Sequence, residues 1–323
     1  MSRLKALIVG CGNIAGGFDA GRPEAADCPL THAGAYSADG RFELSGCVEP
    51  DDAKRDSFMK TWGVPFGCRS IDEVPKLQQR FDVISVCSPT ECHADDLDVC
   101  VELEPKVIFC EKPVTTSALR TARIIEQCNE TEVALAVNYT RRWDPMISAL
   151  ADGIREERWG ELRSVAGFYN KGLLNNGSHM LDLLHLILGS LELVKAGQPV
   201  DDYLPDDPSV PVWLQGAGHC PIQLSCGNAS DFALFELQFI FSSAVVSMEN
   251  GGMFWRERLP IDSEEFKGFR VLDEGSRKTG GYSKAMLRAC NNIFEFVSHG
   301  NSLMSTGETA LVSQQLCERI RCP

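Results

Sequence analysis

Three short clusters carry residue types that can do chemistry together. Cys110-Glu111-Lys112-Pro113 closes the apolar run Val107-Ile108-Phe109 and sets a lysine at the tip of a predicted strand. About a hundred residues earlier, Leu4 to Val9 reads as another strand and runs straight into Gly10-Cys11-Gly12-Asn13-Ile14-Ala15. A third cluster, Asn175-Asn176-Gly177-Ser178-His179-Met180-Leu181-Asp182, offers a histidine at the start of a predicted helix. A glycine-rich turn after a first strand can hold a dinucleotide pyrophosphate. A lysine ending a later parallel strand falls on the same sheet edge, where ligands bind in open α/β folds. Together they imply a nicotinamide-dependent oxidoreductase, with a lysine and a histidine flanking the reacting carbon.

The elements around these clusters must place them. Up to residue 140, strands (4–9, 42–48, 82–87, 106–110, 133–137) alternate with helices (51–62, 93–101, 117–128). Continuous apolar strands separated by helices predict a parallel sheet covered on both faces, a doubly wound Rossmann domain. From 141 to 323 the pattern changes. Helices are expected over 144–159 and 178–188, strands over 162–169, 232–241, 244–249, 254–259 and 269–272, and two helices at the end. This half reads as an α+β domain with a mostly antiparallel open sheet, and the last helices are able to pack back on the first domain. Residues 197–211, rich in Pro and Asp, read as a surface loop.

Within the glycine turn, Gly10 permits the tight bend, Gly12 lets backbone approach phosphate, and Ala15 packs helix on strand. The following helix N-terminus favours the pyrophosphate charge. Glu49 ends the second strand, where a carboxylate accepts from an adenosine ribose and repels a 2′-phosphate. NAD is therefore favoured over NADP, which Arg55, close by in sequence, keeps as the alternative. Its spacing from the glycines is long, and residues 17–31 look like an insertion in the first helix. Ser178 reads as an N-cap, placing His179 in the first turn of an apolar helix. There the helix terminus and burial both disfavour imidazolium, leaving a base ready for a hydroxyl proton. His185, six residues on, reads as structural.

The set of motifs resembles the glucose–fructose oxidoreductase / inositol dehydrogenase / MocA-like family over essentially the whole chain. Its marks are G-C-G-N-I-A, Ser88-Pro89-Thr90 to His93, Glu111-Lys112-Pro113, Asn138 with Arg142 and Pro145, and Gly177-x-His179-x-x-Asp182. The resemblance implies hydride transfer to or from secondary alcohols of sugar-like molecules, with Lys112 and His179 catalytic and a Lys–Pro bond that is often cis. It implies cofactor contacts from Gly10, Gly12, Asn13, Ile14, Glu49, Ser88, Pro89, Thr90, His93, Glu111, Lys112 and Asn138. The substrate pocket is expected to use Lys171, Asn175, Asn176, Asp182, Tyr139 and Arg142, and the open sheet to form a homodimer or homotetramer. The family often has aspartate four residues before the histidine. Asn175 stands there instead, and it can bond a sugar hydroxyl but cannot carry a proton.

Other classes fit less well. The net charge of −14 opposes a nucleic-acid partner. No run approaches the roughly 20 apolar residues of a membrane span. The N-terminus lacks a signal-peptide core, and a cytoplasmic protein is expected. Fourteen cysteines are scattered without a C-x-x-C pair, so buried thiols are expected rather than zinc or disulfides. A metal-dependent hydrolase therefore finds no support, and no metal is expected. Two rivals remain open: a reductase of imines or conjugated double bonds, and a cofactor-binding sensor or scaffold without turnover, which Asn175 motivates.

Overall fold

The computed structural model describes residues 3–22, 26–77 and 79–322. The chain divides into two compact units, residues 1–143 with 283–312 and residues 144–282 with 313–323.

In the first unit six strands form one parallel sheet: β1 (Leu4–Val9), β2 (Phe42–Val48), β3 (Gly67–Cys68), β4 (Val83–Val86), β5 (Val107–Cys110) and β6 (Ala134–Val137). Their spatial order is β3-β2-β1-β4-β5-β6. Every residue of β4 and β5 is buried, as strands covered on both faces require. The order reverses between β1 and β4, where a doubly wound sheet opens a crevice at the carboxyl ends of its strands. Helices α1 (His32–Asp39), α2 (Asp52–Trp62), α3 (Thr90–Glu102) and α4 (Ala118–Glu130) connect the strands. Asp51 accepts from Lys54 N–H and Gly63 closes with φ 67°, so cap chemistry bounds α2 at both ends.

The first helix is interrupted, where the sequence places an insertion over residues 17–31. After the glycine turn there is a single helical turn, with Gly16 and Gly17 N–H donating to Gly12 O, both at 3.2 Å. The chain then leaves and returns at Thr31. On its return His32 N–H donates to Ile14 O (3.2 Å) and Ala33 N–H to Ala15 O (2.8 Å), so α1 takes up the carbonyls of the interrupted turn. The intervening stretch is looped out of one helical stack; its residues 23–25 lie outside the described residues. Buried Asp19 closes the loop by accepting from Leu30 N–H (2.9 Å), Thr31 N–H (2.9 Å) and the Thr31 hydroxyl (2.7 Å).

The second unit is built on β7 (Leu162–Tyr169), β8 (Glu192–Ala196), β9 (Val200–Leu204), β10 (Asp207–Ser209), β11 (Val212–Gln215), β12 (Pro221–Cys226), β13 (Phe235–Phe241), β14 (Val245–Glu249), β15 (Phe254–Arg258), β16 (Pro260–Asp262), β17 (Arg270–Leu272) and β18 (Ser276–Thr279). Eight of them form a sheet in the order β18-β15-β14-β13-β7-β12-β11-β8, antiparallel except where β12 meets β7. Along β13 Phe235, Leu237, Phe239 and Phe241 are buried, while Glu236, Gln238 and Ile240 are half-buried on the other face. Helices α5 (Pro145–Arg155) and α6 (Ser178–Leu188) join this core through residues such as Leu150, Met180 and Leu184. Residues 197–211 lie mostly at the surface, as their composition suggests, but they are not an irregular loop. They hold the hairpin β9–β10, with Asp207 and Ser209 buried because they bond main chain elsewhere in the unit. Among the described residues the cysteines form no disulfide, and no helix is long and apolar enough to cross a membrane.

Candidate cofactor and substrate sites

A cavity of about 770 Å³ opens in the first unit at the ends of β1, β2 and β4. Gly10, Gly12, Asn13, Ile14, Glu49, Ser88 and Pro89 are part of its wall. Gly10 has φ 84°, and a Cβ there would stand 2.6 Å from both Ser88 N and Cα, so two backbones meet where only glycine fits. At Gly12 a Cβ would meet nothing within 4 Å. That glycine leaves bare main chain facing open space.

Glu49 is buried, with Oε2 accepting from Cys11 N–H (3.0 Å) and Oε1 from Asp51 N–H (3.1 Å). A carboxylate has about four acceptor sites, so each oxygen keeps one beyond these bonds. Arg55 donates instead to the Glu49 carbonyl (2.8 Å) and to Asp52, and is not on the cavity wall. Two cations, Lys54 and Arg69, do line it, as does Phe18, and none of the three belongs to a sequence motif. Nothing in a single sequence marks them. The Ser88 hydroxyl donates to Asp96 (2.5 Å), whose carboxyl burial holds above its ordinary range.

Thr90 opens α3. The ring nitrogens of buried His93 lie 3.0 Å from Pro113 O and 2.8 Å from Ser88 O, so this histidine ties the turn after β4 to the Glu111-Lys112-Pro113 turn after β5. The Lys112–Pro113 bond is cis. Glu111 accepts from Asn138 Nδ2–H (2.6 Å) and meets His32 Nε2 at 3.0 Å. Burial alone would raise its pKa, but bonding to His32, the His32 charge, the Asn138 amide and the Lys112 charge outweigh burial and hold it below the ordinary carboxylate value. Tyr139 and Arg142 are buried, and Arg142 donates to Met304 O (3.2 Å).

In the second unit Lys171, Asn175 and Asn176 share one segment after β7. Lys171 (φ 68°) and Gly172 (φ 86°) are both left-handed, and Leu173–Gly177 forms a π-turn that runs directly into α6. Ser178 is therefore not the N-cap. Gly177 before it already has helical φ and ψ, and the Ser178 hydroxyl donates back to Leu174 O (2.6 Å). His179 stands in the second turn of a longer helical run, so no helix terminus lies beside it to disfavour imidazolium. The terminus is met by Asp207, which accepts from Leu174 N–H and Asn175 N–H, both at 2.8 Å. Asp202 accepts from Lys171 N–H, from the Ser209 hydroxyl (2.8 Å) and from Ala229 N–H (2.6 Å). Burial works against ionisation of Asp202, but these donors prevail and depress its pKa.

The side chains of the segment also bond within it. Asn175 Nδ2–H donates to Lys171 O (3.0 Å) and Asn176 Nδ2–H to Asn170 O (2.8 Å). Asp182 is buried and accepts from the Ser313 hydroxyl at 3.4 Å. His185 meets Gly189 O at 2.9 Å. Among the described residues no group of three or more His, Cys, Asp or Glu could hold a metal ion.

Residues 4–139 match the oxidoreductase family with an NAD-binding Rossmann fold, GFO_IDH_MocA. The match covers the Rossmann sheet of the first unit and ends before the second unit begins. Inositol 2-dehydrogenase of Rhizobium meliloti (strain 1021) is 29% identical to this chain over 134 residues, 42% of this chain and 39% of the relative. The chain thus spans well under half the length of that relative. An oxidoreductase from Agrobacterium radiobacter, solved in complex with NAD+, L-tartaric acid and magnesium, has the same fold. Its TM-score is 0.77 at 14% identity, over 98% of this chain and 95% of that one. UDP-N-acetylglucosamine 3-dehydrogenase from Acidithiobacillus ferrooxidans gives a TM-score of 0.74 at 15% identity, over 100% and 98%.

Proposed function

We propose that this protein is an NAD-dependent oxidoreductase of the Gfo/Idh/MocA family. It moves a hydride to or from the carbon of a secondary alcohol in a sugar, cyclitol or nucleotide-activated sugar, with NADP as the alternative cofactor. The observation that carries this reading is the cavity at the β1/β4 reversal, where Gly12 leaves main chain bare and buried Glu49 keeps acceptor sites to spare. Those features fit a dinucleotide: bare amides suit a pyrophosphate, and Glu49 suits a ribose diol while opposing a 2′-phosphate. NAD, when bound, supplies the hydride acceptor or donor. The names of the inositol and UDP-N-acetylglucosamine dehydrogenases support the substrate class.

The first unit is the cofactor domain in this reading, and the second supplies substrate contacts. Lys112 donates to the reacting oxygen and favours its alkoxide character. His179 takes the hydroxyl proton during oxidation and returns it during reduction. Asn175 donates to and accepts from a neighbouring hydroxyl, while Lys171 and Asn176 line the pocket. A homodimer or homotetramer forms through the outer face of the eight-stranded sheet. Its exposed apolar residues include Trp213, Val194 and Phe168. Light scattering should give a multiple of the 35.5 kDa chain; a monomer at micromolar concentration would exclude the oligomer.

The test is a screen of sugars, inositols and nucleotide sugars for absorbance change at the reduced-nicotinamide band, followed by variants. With the best substrate, His179→Ala and Lys112→Ala should each lower turnover about 10²–10⁴-fold. NAD affinity should be nearly unchanged in His179→Ala. Wild-type kcat in that variant would overturn the acid–base role.

A further inference from the structure

We infer that His32 is a positioning residue for the reaction: its Nε2–H, oriented by a buried Tyr36–Ser85 pair, fixes the Glu111 carboxylate next to Lys112. The inference rests on the role proposed above for Lys112.

His32 and Tyr36 stand one turn apart on α1 and are fully buried. His32 Nδ1 lies 3.0 Å from Ser85 Oγ, and the Tyr36 hydroxyl lies 2.7 Å from the same oxygen. On the other side of the ring, Nε2 lies 3.0 Å from Glu111 Oε1, which also takes the Asn138 amide at 2.6 Å. The Phe109 ring, its centroid 4.5 Å away, packs against the imidazole.

The donors resolve in one direction. An ionised carboxylate only accepts, so Nε2 must carry the hydrogen that faces Glu111. In the neutral ring Nδ1 accepts from the Ser85 hydroxyl, whose oxygen accepts from Tyr36; in the protonated ring Nδ1–H donates to that oxygen, and Nε2–H faces Glu111 in both forms. Burial drives the Tyr36 pKa well above its ordinary value, so the phenol keeps its proton. Ser85 is the one polar residue of β4, between Ile84 and Val86 in the middle of the sheet. A hydroxyl there is costly unless bonded. Burying an imidazole and a carboxylate together is weak evidence for stability, because an apolar pair often serves as well. The position of this carboxylate gives the pair a use, since it adjoins Lys112, whose charge bears on it. Through His32 N–H, α1 also stacks on Ile14 of the glycine turn, so one residue braces both turns.

The two ring nitrogens can be mimicked separately. His32→Asn keeps an amide near the Nδ1 position and loses the donor to Glu111, whereas His32→Gln keeps an amide near Nε2. In the full chain with NAD and the best substrate, His32→Asn should lower kcat about 10- to 100-fold, the loss expected for a hydrogen bond to a buried charge. Its KM for NAD should stay near wild type, and His32→Gln should restore most of kcat. Wild-type kcat in His32→Asn, or equal damage in both variants, overturns the inference. If neither variant folds, ¹⁵N shifts of His32 in the wild-type protein decide, without substrate: a hydrogen on Nε2 supports the inference, and a neutral ring with its hydrogen on Nδ1 overturns it. Full turnover in Lys112→Ala would instead defeat the functional reading, while the tautomer would still test the network.

Discussion

The turns around the cofactor cavity and the segment at 171–176 are held by different means. On the cavity side the first amide of each turn extends the sheet: Gly10 N–H donates to Val48 O (2.8 Å), Cys87 N–H to Val9 O (2.7 Å), Glu111 N–H to Val86 O (2.9 Å) and Asn138 N–H to Cys110 O (2.8 Å). Each turn inherits its place from a neighbouring parallel strand, whatever its side chains. The 171–176 segment leaves β7 and has its amides taken by Asp202, Asp207 and Ser209, about thirty residues further on. The first arrangement tolerates change in any one side chain except where backbones touch. The second hangs on two carboxylates.

The largest effect expected from this difference is at the glycines. Gly12→Val should abolish NAD binding in calorimetry while leaving unfolding unchanged, since the new side chain enters the cavity and meets no protein. Gly10→Ala should instead destabilise the fold by roughly 1–3 kcal/mol from its backbone conformation alone, with the contact against Ser88 added. A Gly10→Ala protein as stable as wild type in denaturant would mean that the two backbones can part.

Asp207→Ala comes next. Leaving two amides without their charged acceptor should cost roughly 1.5–3 kcal/mol and raise the substrate KM. Unchanged stability and KM would show that the segment is held some other way.

Acid should act on the segment more gently. The Asp202 pKa is depressed in the fold, so its contribution is present above the unfolded value, near 3.8, and is lost as pH falls through the lower folded value. Amide exchange at Lys171 and Gly172 should therefore quicken on acidification below that range, before the amides of β1 and β4 lose protection. Simultaneous loss would mean that both regions open only with the whole chain. Asn175→Ala should have the smallest effect, a rise in substrate KM of about two- to tenfold with kcat little changed. A collapse of kcat would give Asn175 a part in the chemistry.

The same division explains what the sequence discloses. Continuous apolar strands, Asp51 and Gly63 at the ends of α2, and Gly10-Cys11-Gly12 after β1 are local signals, and the structure sets each where its pattern points. Ser178 misleads because serine before an apolar run looks like a cap, while its hydroxyl can equally bond a carbonyl one turn back, as it does. Asp207 and Ser209 lie in a stretch whose composition reads as exposed, and the amides that draw them inward are too distant in sequence to be seen. His32 follows the looped-out stretch, so no spacing rule connects it with Glu111.

That looped-out stretch obeys a rule of phase. His32 supplies Ile14 O with the amide that, in an uninterrupted helix, belongs to the residue four positions on, yet it stands 18 positions on, and Ala33 stands 18 beyond Ala15. The surplus is fourteen residues at both bonds. Excising fourteen residues would close the helix in register, with His32 and Tyr36 still turned toward Ser85. Excising thirteen or fifteen would rotate that pair by about 100°, the angle per residue of an α-helix, and swing the imidazole away from Glu111. The length of the insertion is thus constrained by angle rather than by reach, while Asp19 within it ties its end at Leu30 and Thr31.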